Sequence, residues 1–341
     1  MRLDRTRRRT AVGFSFGDKL DRCYFTRAIL TIGVRMREHA KEPFRWLPGR
    51  GWDPAALCRL RQRFPRPVEP LNEAWFLAGA PRDEVDDGWM SYWEVRDALY
   101  DLASDPTQPG ARDWFHFLLA QEIPGAILGS VMPPLVEALA TCLFVFHPLG
   151  ADSEPYEGFI RDCRDTLGAA IMGRDGWSSR GEINRGAILR RRWGLGAGWE
   201  WGRPAGDLSA SMFVCLKYLP QDEIGPWLRS VFQIRDPVWR GQLMAWFVGA
   251  RHILDGTIDQ PADLPVKGQP AISWADCNFV TGPLPFLSPA NRRAALDAVA
   301  AIFTDCAFTE WARDVLSDEE LAADLGRPPW RFQELFVRVP A

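Results

Sequence analysis

Hydrophobic positions recur at helical spacing along most of the chain. Tyr156, Phe159, Ile160, Cys163, Leu167 and Ile171 predict one apolar helix face, with Arg161 and Asp165 opposite as an i,i+4 pair and Gly173 closing the helix. Leu57, Leu60 and Phe64 form a second stripe behind Asp53–Pro54, an N-cap followed by proline at the first helical position. Trp89, Tyr92, Trp93, Leu99 and Tyr100 share a third face, in a helix that fades over 104–110. The runs 113–121 and 134–146 read as two strongly apolar helices.

Start and stop signals divide the rest in the same way. Asp18 caps a helix to about His39, ended by the link EPFRWLPGRG, and Pro65, Pro67 and Pro70 stop the helix after it. Asp207 is placed to cap DLSASMFVCLKYL, and Pro220 opens a helix through Phe232. Asp236–Pro237 starts VWRGQLMAWFVGARHIL, apolar on almost every side and therefore central, with Arg240 and Arg251 on one narrow polar face. Ser288–Pro289 opens another helix with Leu296, Val299, Phe303 and Cys306 turned inward; SDEELAADL brings a further cap, and WRFQELFVRV suits helix or strand. No β-type alternation of any length occurs. The pattern predicts an all-α fold, an irregular α-solenoid or multi-helix array of short antiparallel helices with long Pro/Gly-rich loops. Residues 1–17 read as a basic arm and 18–341 as one helical domain, with an insertion at 173–206 and a long loop at 255–287.

The stretch YLPQDEIGPWLRSVFQIRDPVWRGQLMAWFVGA resembles one unit of the HEAT and armadillo-type helical-repeat proteins. In such a unit the second of two antiparallel helices opens with Asp-Pro and a nearby arginine, here Asp236, Pro237 and Arg240. SDPTQPGARDWFHFLLA, with Asp105, Pro106 and Arg112, is a looser echo. The resemblance covers about a quarter of the chain, without a regular repeat period along the whole. It implies a scaffold with a concave binding surface and carries over no catalytic residue.

Composition changes this picture in three places. The net charge of −3 hides 17 Lys/Arg against 6 Asp/Glu in residues 1–66, and ten acids against Arg82 and Arg96 in 69–105. A basic arm of this kind serves nucleic acid or an anionic surface, or else docks on the acidic segment that follows it or is a solvated tail, the reading favoured here. The seven cysteines are scattered, with no CxxC pair, as expected of reduced, buried thiols in a cytoplasmic protein. Glu137 is the only formal charge between Ile123 and Ala151, but Pro124, Pro133, Pro134 and Pro148 cut that run too short to cross a bilayer. Neither a signal peptide nor a membrane partner is expected.

Catalytic signals are sparse. The four histidines are dispersed, HExxH and GxSxG are missing, and Cys277 has Asp276 but no histidine beside it in sequence. His116, inside WFHFLL, reads as a core histidine. GLGAG at 194–198 fits neither phosphate-binding glycine pattern and serves better as a connector. No metal, cofactor or catalytic residue is therefore assigned.

Residues 173–206 stand apart, with nine glycines, seven arginines and four tryptophans in 34 residues. Arg190, Arg191, Arg192 and Trp193, then Trp199, Trp201 and Arg203, are the candidate partner-binding residues, since arginine and tryptophan often dominate interface energies and stack by cation–π contact. The structural alternative is that these tryptophans plug a gap between helices while the arginines pair with acids. The functional expectation is a non-enzymatic helical scaffold that holds a protein partner. The alternatives are an enzyme or ligand-binding protein with a Trp/Arg-lined pocket for an anionic small molecule, and a nucleic-acid binder.

Overall fold

Helix starts follow the caps encoded locally. Asp53 accepts the Ala55 N–H, Asp236 the Trp239 N–H, and Ser288 the Asn291 N–H, each just ahead of a proline at the first helical position. The computed structural model describes residues 42–68, 92–128, 135–150, 154–184, 190–191, 199–200, 205–264, 285–319, 321–322 and 328–337. These residues form eleven α-helices: α1 (Pro54–Arg63), α2 (Tyr92–Ser104), α3 (Ala111–Leu128), α4 (Leu135–Phe146), α5 (Phe159–Thr166), α6 (Ala205–Tyr218), α7 (Gln221–Phe232), α8 (Pro237–Leu254), α9 (Pro289–Ile302), α10 (Asp305–Leu316) and α11 (Pro328–Phe336). The fold is all-α. Among the described residues the only strands are two residues each, β1 (Arg190–Arg191) and β2 (Trp199–Glu200).

Two helices hold the array together. α6 packs against α4, α5, α8, α9 and the 3-10 turn Leu167–Met172, and its residues Leu208–Leu216 are all buried. α8, also largely buried as its apolar pattern demands, packs against α10 and α11. The two helices of the predicted repeat-like unit, α7 and α8, touch through the stacked rings of Phe232 and Phe247. Their most extensive packing lies elsewhere, α7 with α9 and α8 with α11.

The link EPFRWLPGRG is the least expected part of the core. Trp46, 1% exposed, donates its indole N–H to the Gly168 carbonyl at 2.8 Å, and its backbone N–H meets Ser230 Oγ at 2.9 Å. Its ring meets Trp227 at 5.4 Å and Trp239 at 5.7 Å, both in edge-on geometry. A proline-rich connector thus supplies the plug between the 3-10 turn, α7 and α8.

Several local expectations are corrected. α3 does not stop at Gln121 but runs on through Pro124. Proline removes the N–H that the Ala120 carbonyl needs, and Arg61 Nε supplies a replacement at 3.2 Å. Asp207 lies inside α6, which begins at Ala205, and so is not its cap. The helix from 159 tightens into a 3-10 turn after Thr166, and Gly173 ends that turn at φ −54°, without the left-handed closure expected of it. Arg161 and Asp165 do not pair; Asp165 accepts from Arg164 Nε at 3.1 Å. Cys306 is exposed rather than inward, while Val299 and Phe303 are buried as expected. Of the two readings left open for the tail, residues 328–336 take the helix. The 18–39 helix, the 1–17 arm, Cys23 and Cys277 lie outside the described residues. Among the described residues no helix is long and apolar enough to cross a membrane.

Candidate functional site

The described parts of 173–206 are fastened to the core at their N-terminal side. Trp177 is 4% exposed, donates its indole N–H to the Ile171 carbonyl at 2.8 Å, and meets the Trp239 ring edge-on at 5.3 Å. An antiparallel bridge pairs Trp177 with Ile183, and the Ile183 N–H reaches the carboxylate of Asp236 at 2.9 Å. Asp236 therefore caps α8 with one oxygen and holds the stretch with the other. Further along, β1 and β2 pair antiparallel, with Arg190 opposite Glu200 and Arg191 opposite Trp199. Three of the seven proposed partner-binding residues are thus placed in one short ribbon. Arg192, Trp193, Trp201 and Arg203, and the GLGAG run, lie outside the described residues. Trp177 follows the packing alternative weighed for this stretch: it is a plug between helices.

A second cluster, with stronger local chemistry, lies in runs that read as plain apolar helix. Asp162, 1% exposed, receives Arg59 Nε at 3.1 and 3.0 Å on its two oxygens and Arg59 Nη2 at 2.6 Å. The Tyr156 hydroxyl donates to the same carboxylate at 2.8 Å. Burial and the Asp162 charge push the Tyr156 phenol well above its ordinary range, so it stays a donor. Glu154 accepts the N–H groups of Gly158 (2.8 Å) and Ile160 (3.2 Å), capping the helix that carries Asp162. The chain enters that helix through Gly158 at φ 89°, a conformation that favours glycine.

Phe64 links this ion pair to two buried histidines, lying 5.9 Å from the Tyr156 ring and stacked on His116 at 4.4 Å. His116 and His147 face each other with Nε2 atoms 2.9 Å apart, at 3% and 0% exposure. At that separation one imidazole donates its Nε2–H and the other accepts on its Nε2 lone pair. Burial first, then the His147 ring and Arg112, push His116 down to about 3. The His147 carbonyl in turn accepts the Tyr218 hydroxyl at 2.9 Å.

Beyond Tyr218 the seam ends at Lys217, whose Nζ donates to the Phe286 carbonyl at 2.7 Å. Burial alone lowers this amine to about 8. The Cys163 and Cys215 thiols are pushed well upward by burial, which removes them as nucleophiles near neutral pH. Among the described residues no group of three His, Cys, Asp or Glu side chains could hold a metal ion.

Sequence reasoning assigned His116 to the core correctly but missed its partner, because 31 residues separate the pair. It missed Asp162 because Arg161 and Asp165 offered an obvious polar face beside it. Lys217 carried one signal, its rarity, as one of four lysines. What these features define is an all-α protein with a fastened Gly/Arg/Trp stretch and a buried seam of ionisable side chains. Compared with family models, with curated proteins and with solved structures, the chain finds no match in any of the three.

Proposed function

We propose that this chain is a non-enzymatic helical scaffold that holds a protein partner through its Gly/Arg/Trp-rich stretch. One observation carries the reading: the stretch is fastened at its base by Trp177 and by the Ile183–Asp236 hydrogen bond, and it contains a ribbon in register at Arg190–Arg191 and Trp199–Glu200. Binding residues concentrate on irregular segments that a rigid framework positions. Trp177 is absorbed by packing, which leaves the arginines and tryptophans from 190 to 203 as the segment's binding set. The ion pairs and histidines of the buried seam already satisfy one another, which suits a structural role for them.

The test compares capture from native cell extract by the wild type and by a variant with Arg190, Arg192, Trp199 and Trp201 changed to alanine. Circular dichroism and a melting curve first establish that the variant folds. A protein held by the wild type and lost by the folded variant supports the reading. Identical capture by both removes it. Capture of nucleic acid, with affinity falling steeply as salt rises, replaces it with phosphate recognition.

A further inference from the structure

Lys217 occupies an unusual place for an ammonium group. It sits in the last turn of α6, where a lysine ordinarily covers the helix's terminal carbonyls. Here Asn291 does that work, its Nδ2 lying 2.8 Å from the Leu216 carbonyl and 3.2 Å from that of Leu219. Lys217 turns instead to the Phe286 carbonyl, with its nitrogen 5.0 Å from the centre of the Phe286 ring and 5.7 Å from that of Tyr218. Phe144 and Phe213 pack edge-on against Phe286, at 4.9 and 5.5 Å, and extend the aromatic surface behind the amine. No carboxylate among the described residues pairs with it. Lysines that act as nucleophiles are placed in this way, desolvated and without a counter-ion.

We propose that Lys217 is a carbonyl-reactive amine that condenses with a small apolar aldehyde or ketone, whose body packs on the ring faces of Phe286 and Tyr218. The neutral amine uses its nitrogen lone pair to form a bond to the carbonyl carbon. A proton passes from nitrogen to the former carbonyl oxygen, and loss of water leaves a C=N bond. The step requires no oxidant or reductant. Burial brings the amine to about 8, so a sizeable neutral fraction exists near physiological pH, whereas an ordinary lysine is almost wholly charged there.

The chain has only four lysines, Lys19, Lys41, Lys217 and Lys267, which makes the site easy to read out. The full chain is treated with benzaldehyde and cyanoborohydride, and benzylation at each lysine is followed by peptide mass spectrometry. Near pH 7.5, Lys217 should react at least about tenfold faster than each of the others, and the advantage should shrink as the pH approaches about 10.5. A Lys217→Arg variant should lose that fast label and keep the slow ones. Labelling of Lys217 no faster than the other three overturns the proposal. Formaldehyde replaces benzaldehyde in a parallel run. An advantage seen with formaldehyde alone overturns the apolar-ligand assignment.

Discussion

Two buried regions of this protein use side chains in opposite ways. Around Trp46, Trp177, Trp227 and Trp239, four indoles meet edge to edge, and three of their N–H groups end on the backbone carbonyls of Gly168, Ile171 and Val231. This tryptophan joint works through area, shape and neutral hydrogen bonds. The seam from Arg59 through Asp162, Tyr156, His116 and His147 to Lys217 works through ionisable groups that burial has moved or paired. In this joint the conspicuous residue type marks packing, while the altered chemistry sits in ordinary-looking helices. Rarity of a residue and perturbation of a residue are different signals.

The comparison breaks most visibly at Trp46. Trp46→Ala removes a fully enclosed indole and its hydrogen bond to Gly168, and the expected loss is about 3–5 kcal/mol. Trp46→Phe keeps much of the ring but drops the N–H, and should cost less than Trp46→Ala. Chemical denaturation followed by circular dichroism measures both. If Trp46→Ala proves neutral, the joint is not the packing centre and the tryptophans must be explained through binding.

A smaller effect separates the seam from the joint by pH. His116 has a folded-state value of about 3 against an ordinary 6.5 in the unfolded chain. As pH falls below 6.5, the unfolded state takes up a proton that the folded state refuses. The His116 contribution to stability is then lost by up to about 1.4 kcal/mol per pH unit until the folded value is reached. Asp165 and Glu122 oppose this trend, because burial raises their values and the folded state takes their protons first. The difference between wild type and His116→Gln isolates the histidine, since an amide still bonds to His147 but does not titrate in this range. The variant's stability should fall less between pH 6.5 and pH 4. Equal slopes for the two proteins remove His116 as an acid-sensitive element.

Much of the fold is legible in the sequence because its signals are local. Asp53, Asp236 and Ser288 cap helices that prolines then pre-organise, and the apolar stripe from Phe159 to Cys163 turns inward as its period requires. What escaped reading is non-local. Pro124 reads as a stop, and only the approach of Arg61 to the Ala120 carbonyl explains why the helix continues. Asp162 carries no signal of its own in the sequence, because the arginine that pairs with it, Arg59, comes from 103 residues away. Of the candidate site, the sequence singled out the segment, and the structure adds its fastening at Trp177 and Ile183 and the register of its ribbon. Neither His116 nor His147 announces the other, because periodicity records faces and not which faces meet.

The smallest expected effect lies on α8, the helix that carries Trp239 of the joint. Gln242 is on α8, three residues after Trp239 and four before Trp246, and is 2% exposed. Among the described residues neither its side-chain oxygen nor its nitrogen has a hydrogen-bond partner, whereas the indoles on either side are satisfied by Val231 and Ser209. An unpaired buried amide costs stability that a thioether of similar length does not, so Gln242→Met should raise stability by about 1 kcal/mol. A higher denaturation midpoint checks this, and a fall of similar size would show that the amide is paired in solution. The same variant sharpens the functional reading, because Asp236 at the start of α8 also holds Ile183. A gain in stability with partner capture unchanged makes Gln242 a plain flaw in the joint. A gain accompanied by weaker capture shows that repacking α8 at this buried amide reaches the binding segment, the trade of stability for activity that proteins make at working sites.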